Sequence, residues 1–127
     1  MTNQDQNSSI KLYDLEDRTA RFGEEIIIFV KGMQSNVVNN VLIRQIVRSG
    51  TSIGANYMEA DGAESSRDFR HKIALCKKEA KETKHWLRMI CKPSPEISSD
   101  CDKLAQEAHE LALIFSAIIR SSISNES

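Results

Sequence analysis

Turn-forming residues are scarce in this chain of 127 residues, which has only two prolines and five glycines. That scarcity excludes an all-β protein with many hairpins. Aromatic residues are 6% of the total, so the core must be mostly aliphatic. Neither charge sign dominates: the formal net charge is −1, which excludes a generally basic nucleic-acid binder and leaves only a local patch for such contacts. Long apolar runs are missing as well. The longest, Ile26 to Val30, falls far short of the roughly 20 residues that cross a bilayer. The polar start, Met1 to Ser9, has no basic segment followed by an apolar one and so does not read as a secretory signal. There are three cysteines, Cys76, Cys91 and Cys101, with no CxxC pair. An odd count without that spacing reads as free thiols in a reducing compartment, with Cys76 and Cys101 serving as small buried hydrophobes. The expected location is the cytoplasm.

What is present is 40% hydrophobic and 28% charged residues, enough for one core and too apolar for a disordered chain. The apolar residues are strictly periodic. Leu15, Thr19, Phe22, Ile26, Phe29 and Met33 alternate steps of four and three, the spacing of one helix face. Asp14 reads as the N-cap, and Met1 to Lys11 as a disordered tail. A polar stretch from Gln34 to Asn40 breaks the pattern, and a second helix follows over Asn40 to Ala60. It turns Leu42, Ile46, Ser49, Ile53, either Asn56 or Tyr57, and Ala60 inward. Gly50 and Gly54 inside it cost about 1 kcal/mol each against alanine, so they predict close approach of a neighbouring backbone.

Asp61 to Ser65 is a break, with Ser65 or Ser66 able to cap the next helix. The third stripe is Phe69, Ile73, Cys76, Ala80, Thr83, Leu87 and Ile90, ended by Lys92-Pro93-Ser94-Pro95. The fourth is Ile97, Cys101, Leu104, Ala108, Leu111, Phe115, Ile118 and Ser122, with a frayed tail over residues 123–127. No segment alternates with a period of two. Residues 12–122 therefore predict an all-α, antiparallel up-down four-helix bundle. Ile27, Ile28, Val30, Leu113, Ile114 and Ile119 exceed a single stripe and predict a second apolar surface used for self-association.

Charge is sorted between helices. From Ser65 to Lys92 there are nine basic and three acidic residues, whereas from Pro93 onward there are two basic and six acidic. Lys77, Lys81, Lys84 and Arg88 recur at four, three and four, and read as a ridge opposite the apolar stripe. With Arg67, Arg70 and Lys78 they are the candidate phosphate contacts, which would position an RNA without reading its sequence. A solvated face, or pairing with the acidic helix of another copy, would use the same residues. Only Trp86 interleaves with them, so base stacking is not indicated.

Tests for an active site find little. A di-metal bundle needs two ExxH pairs; Glu82-Thr83-Lys84-His85 is one, and the other histidines, His71 and His109, make no second. Glu79 with Glu82 and Glu107 with Glu110 have the i, i+3 spacing with which carboxylates share Mg²⁺. An all-α nucleotide pyrophosphohydrolase using these four is the alternative to a non-enzymatic binding protein. No Gly-rich phosphate loop or GxSxG is present, and no cofactor is expected. Arg48, Asn56, Glu59, Glu79 and Glu82 lie near inward positions and read as an interhelical polar network that fixes register.

The run Arg48-Ser49-Gly50-Thr51-Ser52-Ile53-Gly54-Ala55-Asn56-Tyr57-Met58-Glu59-Ala60 carries a resemblance, with Ser52 to Ala60 its most specific part. Ser66-Arg67-Asp68-Phe69, Lys72-Ile73-Ala74-Leu75, Lys78-Glu79-Ala80-Lys81-Glu82-Thr83 and Trp86-Leu87 extend it. Together they resemble the bacterial 23S rRNA intervening-sequence proteins, also called S23 ribosomal proteins, over about Leu12 to Ser122. The resemblance implies a homo-oligomer of four-helix protomers, a pentamer, whose molecular role is unassigned. The accessory protein of diversity-generating retroelements has a similar fold, and there a basic pentamer engages reverse transcriptase and RNA. That relation implies an RNA or an RNA-associated protein as partner, although this chain departs from it in being nearly neutral.

Overall fold

Helix boundaries fall where the side chains stop or cap a helix. The structure is a computed structural model that describes the backbone of residues 3–126 and the side chains of residues 14–125. Its helices are α1 (Asn3–Lys31), α2 (Val37–Asp61), α3 (Ser66–Cys91) and α4 (Ser98–Glu126), with a 3-10 turn over Pro95–Ile97 before α4. Among the described residues there is no strand. The Asn36 side chain accepts from the Asn39 amide at 2.7 Å, so the expected break ends in a true N-cap and α2 begins three residues early. Ser65 caps α3 by accepting from the Asp68 amide at 3.0 Å. Replacing Ser65 with alanine is expected to lower the unfolding free energy by about 1 kcal/mol, read from the denaturation midpoint, whereas Ser66→Ala should change it little.

At the N-terminal end the expected cap is not used. α1 runs back to Asn3, so Asp14 lies inside a helix and caps nothing, and α4 continues to Glu126. The reason is local: neither stretch holds a proline or glycine, and polar residues alone do not stop a helix. Of the tails, only Met1, Thr2 and Ser127 lie outside the described residues.

The four stripes meet in one core. Phe22, Ile26, Ile46, Ile53, Ile73, Leu87, Leu111 and Phe115 are the largest apolar side chains fully removed from solvent. On α2 the inward position is taken by buried Tyr57, with Asn56 half-buried beside it. Helix packing is consistent with the antiparallel order: Ser49 pairs with Thr83 and Glu59 with Lys72, so contacts rise on α3 as they fall on α2. Likewise Lys84 meets His109 and Arg70 meets Ser122 between α3 and α4.

At the glycines α1 and α2 pack closely. A Cβ on Gly50 would lie 3.0 Å from Ile26 Cγ1, one on Gly54 3.3 Å from Thr19 Oγ1, and one on Gly23 3.5 Å from the Thr51 Cα. The α1–α4 seam is looser. A groove of about 420 Å³ opens there, walled by Ile28, Phe29 and Met33 on one side and Ile97 and Leu104 on the other.

The cysteines correct the reading of free thiols. Cys91 and Cys101 form a disulfide with their Cα atoms 6.1 Å apart, and Cys76 alone is free. Spacing gave no hint, because the two meet across a helix–helix turn: the prolines stop α3 and fold α4 back on it. Cys101 is nonetheless buried as expected. The surplus apolar residues divide. Val30 belongs to the core, Ile114 and Ile119 are half-buried against it, and Ile27, Ile28 and Leu113 are exposed. Among the described residues no helix is long and apolar enough to cross a membrane.

Candidate nucleic-acid interface

α3 has three sides because three kinds of residue recur along it with helical period. Its apolar stripe enters the core. On the side toward α2 it carries its acids: Arg48 Nη1 donates to Glu79 Oε2 at 3.1 Å, and Arg48 Nη2 also pairs with Glu82. Lys72 reaches Glu59 at 3.5 Å along the same seam. On the side toward α4 it carries Lys77, Lys81, Lys84 and Arg88, while Lys78 and Arg67 lie farther round, on the outward side opposite the apolar stripe. Lys77 and Lys84 are half-buried, while Lys78, Lys81, Arg67 and Arg88 are exposed.

The ridge therefore flanks the apolar stripe rather than opposing it. Lys77 follows Cys76 by one residue, a rotation of about 100°, and steps of four and three preserve that offset. Lys84 Nζ lies 3.0 Å from His109 Nδ1, and since an ammonium only donates, the ring nitrogen accepts. Arg70 is half-buried and its Nη1 lies 3.5 Å from the Ser122 hydroxyl. None of Arg67, Lys77, Lys78, Lys81 and Arg88 has an ion-pair partner among the described residues. From Arg67 to Arg88 the strip is about 32 Å long at 1.5 Å per residue.

One cation on α4, Arg120, extends the strip. His109 and Arg120 are eleven residues apart, close to three full turns, so Arg120 shares the face that His109 presents to α3. The eleven-residue spacing was visible in the sequence, but which neighbour that face meets was not.

The five residues expected to form one polar network do not all meet. Arg48, Glu79 and Glu82 come together, and Glu59 pairs separately with Lys72. Asn56 corrects the expectation, since its side chain donates to the Ser52 carbonyl of its own helix at 2.9 Å. The interhelical polar contact that sequence reasoning missed is the buried hydroxyl pair Ser49–Thr83, 2.9 Å apart. Both sit at inward stripe positions, which was the available signal: two polar groups in a core need one another.

The four carboxylates proposed for Mg²⁺ do not converge. Glu79 and Glu82 sit on Arg48 between α2 and α3, whereas Glu107 and Glu110 sit on Arg18 between α1 and α4. Arg18 grips Glu107 with two bonds of 2.7 Å, and that hydrogen bonding holds its guanidinium pKa above the usual value. Each pair is thus neutralised by an arginine on a different seam, which removes the geometric basis for a shared cation. His85, the other half of the ExxH pair, lies edge-on to Trp86 at 4.9 Å. Among the described residues no three His, Cys, Asp or Glu side chains cluster as metal ligands.

The comparisons agree with this frame. No curated protein matches the sequence. A crystal structure of a protein of unknown function from the S23 ribosomal protein family of Bacteroides thetaiotaomicron superposes with a TM-score of 0.75 at 31% identity. The match covers 83% of this chain and 97% of that one. The profile of the 23S rRNA-intervening sequence proteins matches residues 13–117, and the chain belongs to that family.

Proposed function

We propose that this protein is a non-enzymatic, self-associating binding module that holds structured RNA by its phosphates along the outward and α4-facing sides of α3. The observation that carries this reading is the sorting of charge on α3. Its acids near the core are taken up by Arg48, so Lys78, Lys81, Arg88 and Arg67 face solvent without neutralisation. A local strip of this kind attracts a polyanion even when the whole chain is nearly neutral. Copies associate, as a pentamer, through the faces of α1 and α4 that leave Ile28 and Leu113 exposed. The cytoplasm is the proposed place of action.

The test is binding of a structured RNA across a salt series, with the mass of the complex followed by light scattering. Four phosphates neutralised by the exposed cations give a slope of log K against log salt of about −3 to −4. The triple variant Lys78→Glu, Lys81→Glu, Arg88→Glu should abolish binding while leaving helicity and oligomer mass unchanged. An oligomer indifferent to RNA at low salt would overturn the RNA reading, and a monomer would overturn the association.

A further inference from the structure

The Cys91–Cys101 bond belongs neither to the basic strip nor to the apolar face of α1 and α4. We propose that this pair is a thiol–disulfide redox site, opened and closed by exchange with a low-molecular-weight thiol, which latches the connector between α3 and α4. The two cysteines differ in exposure, for Cys91 is half-buried whereas Cys101 is 4% exposed. An incoming thiolate therefore attacks Cys91 Sγ. The S–S bond breaks, its electron pair leaves on Cys101 Sγ, and that sulfur takes a proton from water. A mixed disulfide remains on Cys91. A second thiolate attacks the small-molecule sulfur and releases Cys91, which is protonated in turn. The balance is one protein disulfide and two small thiols giving a protein dithiol and one small disulfide; the reverse reaction consumes that disulfide.

The third cysteine stays out of the exchange. Cys76 has no exposed surface, its thiol lies 3.5 Å from the Ile53 carbonyl, and burial pushes its pKa up to about 12. With almost no thiolate and no access it does not compete, so the reaction is confined to two positions.

The latch has something to hold. Between α3 and α4 the backbone bonds are local ones, Ser94 N to the Cys91 carbonyl at 3.0 Å and Ile97 N to the Ser94 carbonyl at 3.2 Å. The 3-10 turn has no side-chain cap, and Lys92, Pro93, Pro95 and Glu96 are exposed. Ile97 and Leu104, just before and after Cys101, line one wall of the α1–α4 groove. Opening the bond frees the connector and the first turn of α4, and with them the Ile97 part of that wall. A bond of this kind is compatible with a reducing compartment, where it forms when small disulfides accumulate.

The experiment places the full chain, without denaturant, in glutathione mixtures of graded ratio, quenches with acid, and counts alkylated cysteines by mass. Cys91 and Cys101 are expected to titrate together while Cys76 stays unlabelled. Amide exchange over residues 92–101 is expected to be about tenfold faster in the reduced protein and unchanged at Ile46, Ile53 and Ile73. The variant Cys91→Ser should show the fast pattern at every ratio. A bond that resists glutathione until the protein unfolds would overturn the proposal. So would thiols that never pair in oxidised glutathione, or equal protection of 92–101 in both states.

Discussion

Phe115→Ala should lose about 3–5 kcal/mol of unfolding free energy, because the ring is fully buried and its removal leaves a cavity that helices cannot easily close. Phe115 lies 6.4 Å from the Tyr57 ring, tilted by 40°, in the layer where α2 and α4 face each other across the core. Tyr57 cannot simply swing into the space, since it too is buried. The loss should appear as a lower denaturation midpoint with an unchanged slope. Leu113→Ala is the matching control, two residues away and 56% exposed. In dilute monomer it should change stability by less than about 0.5 kcal/mol. In the proposed oligomer it should also weaken association, so its effect should grow with protein concentration while that of Phe115→Ala stays constant. Equal costs for the two variants in dilute solution would mean that the assignment of core and surface on α4 is wrong.

The difference between these two apolar positions was legible in the sequence, and it shows what periodicity encodes. Steps of four and three pick out one stripe per helix, so Leu15 to Met33, Ile73 to Ile90 and Cys101 to Phe115 could be placed inward before any coordinates. The same rule names the edge of a stripe poorly. Val30 lies only four residues after Ile26 and turns into the core, while Ile28 turns out. Tyr57 and Asn56 competed for one slot, and the larger apolar side chain took it. Periodicity on one helix also says nothing about which helix stands on either side. The basic residues of α3 could be listed from the sequence, but the position of the ridge beside α4 and His109 could not. The pairing of Glu107 with Arg18 rather than with the glutamates of α3 is a property of the seam, not of either segment. The disulfide belongs to the same class, for it depends on how tightly the Pro93–Pro95 turn folds back.

Gly50→Ala should change sign with its neighbour. In the native protein the new methyl would lie 3.0 Å from Cγ1, 3.2 Å from Cγ2 and 3.3 Å from Cβ of Ile26. Ile26 is fully buried, and a β-branched side chain in a helix has essentially one rotamer, so it has nowhere to turn. α1 and α2 must then part by a few tenths of an ångström along the whole seam, where Gly54 and Gly23 also set the spacing. Overpacking of this kind costs about 1–3 kcal/mol and outweighs the roughly 1 kcal/mol gained by replacing a mid-helix glycine. Ile26→Ala alone should cost about 2–5 kcal/mol through its cavity. On that background the obstacle is gone, so adding Gly50→Ala should stabilise the protein by about 1 kcal/mol through helix propensity and partial filling of the void. The double-mutant cycle measures the reversal directly, as a coupling energy of about 1 kcal/mol or more. Additive effects would show that the glycines of α2 do not set the distance between the first two helices. In that case the small-residue run that carries the family resemblance would need another physical reason.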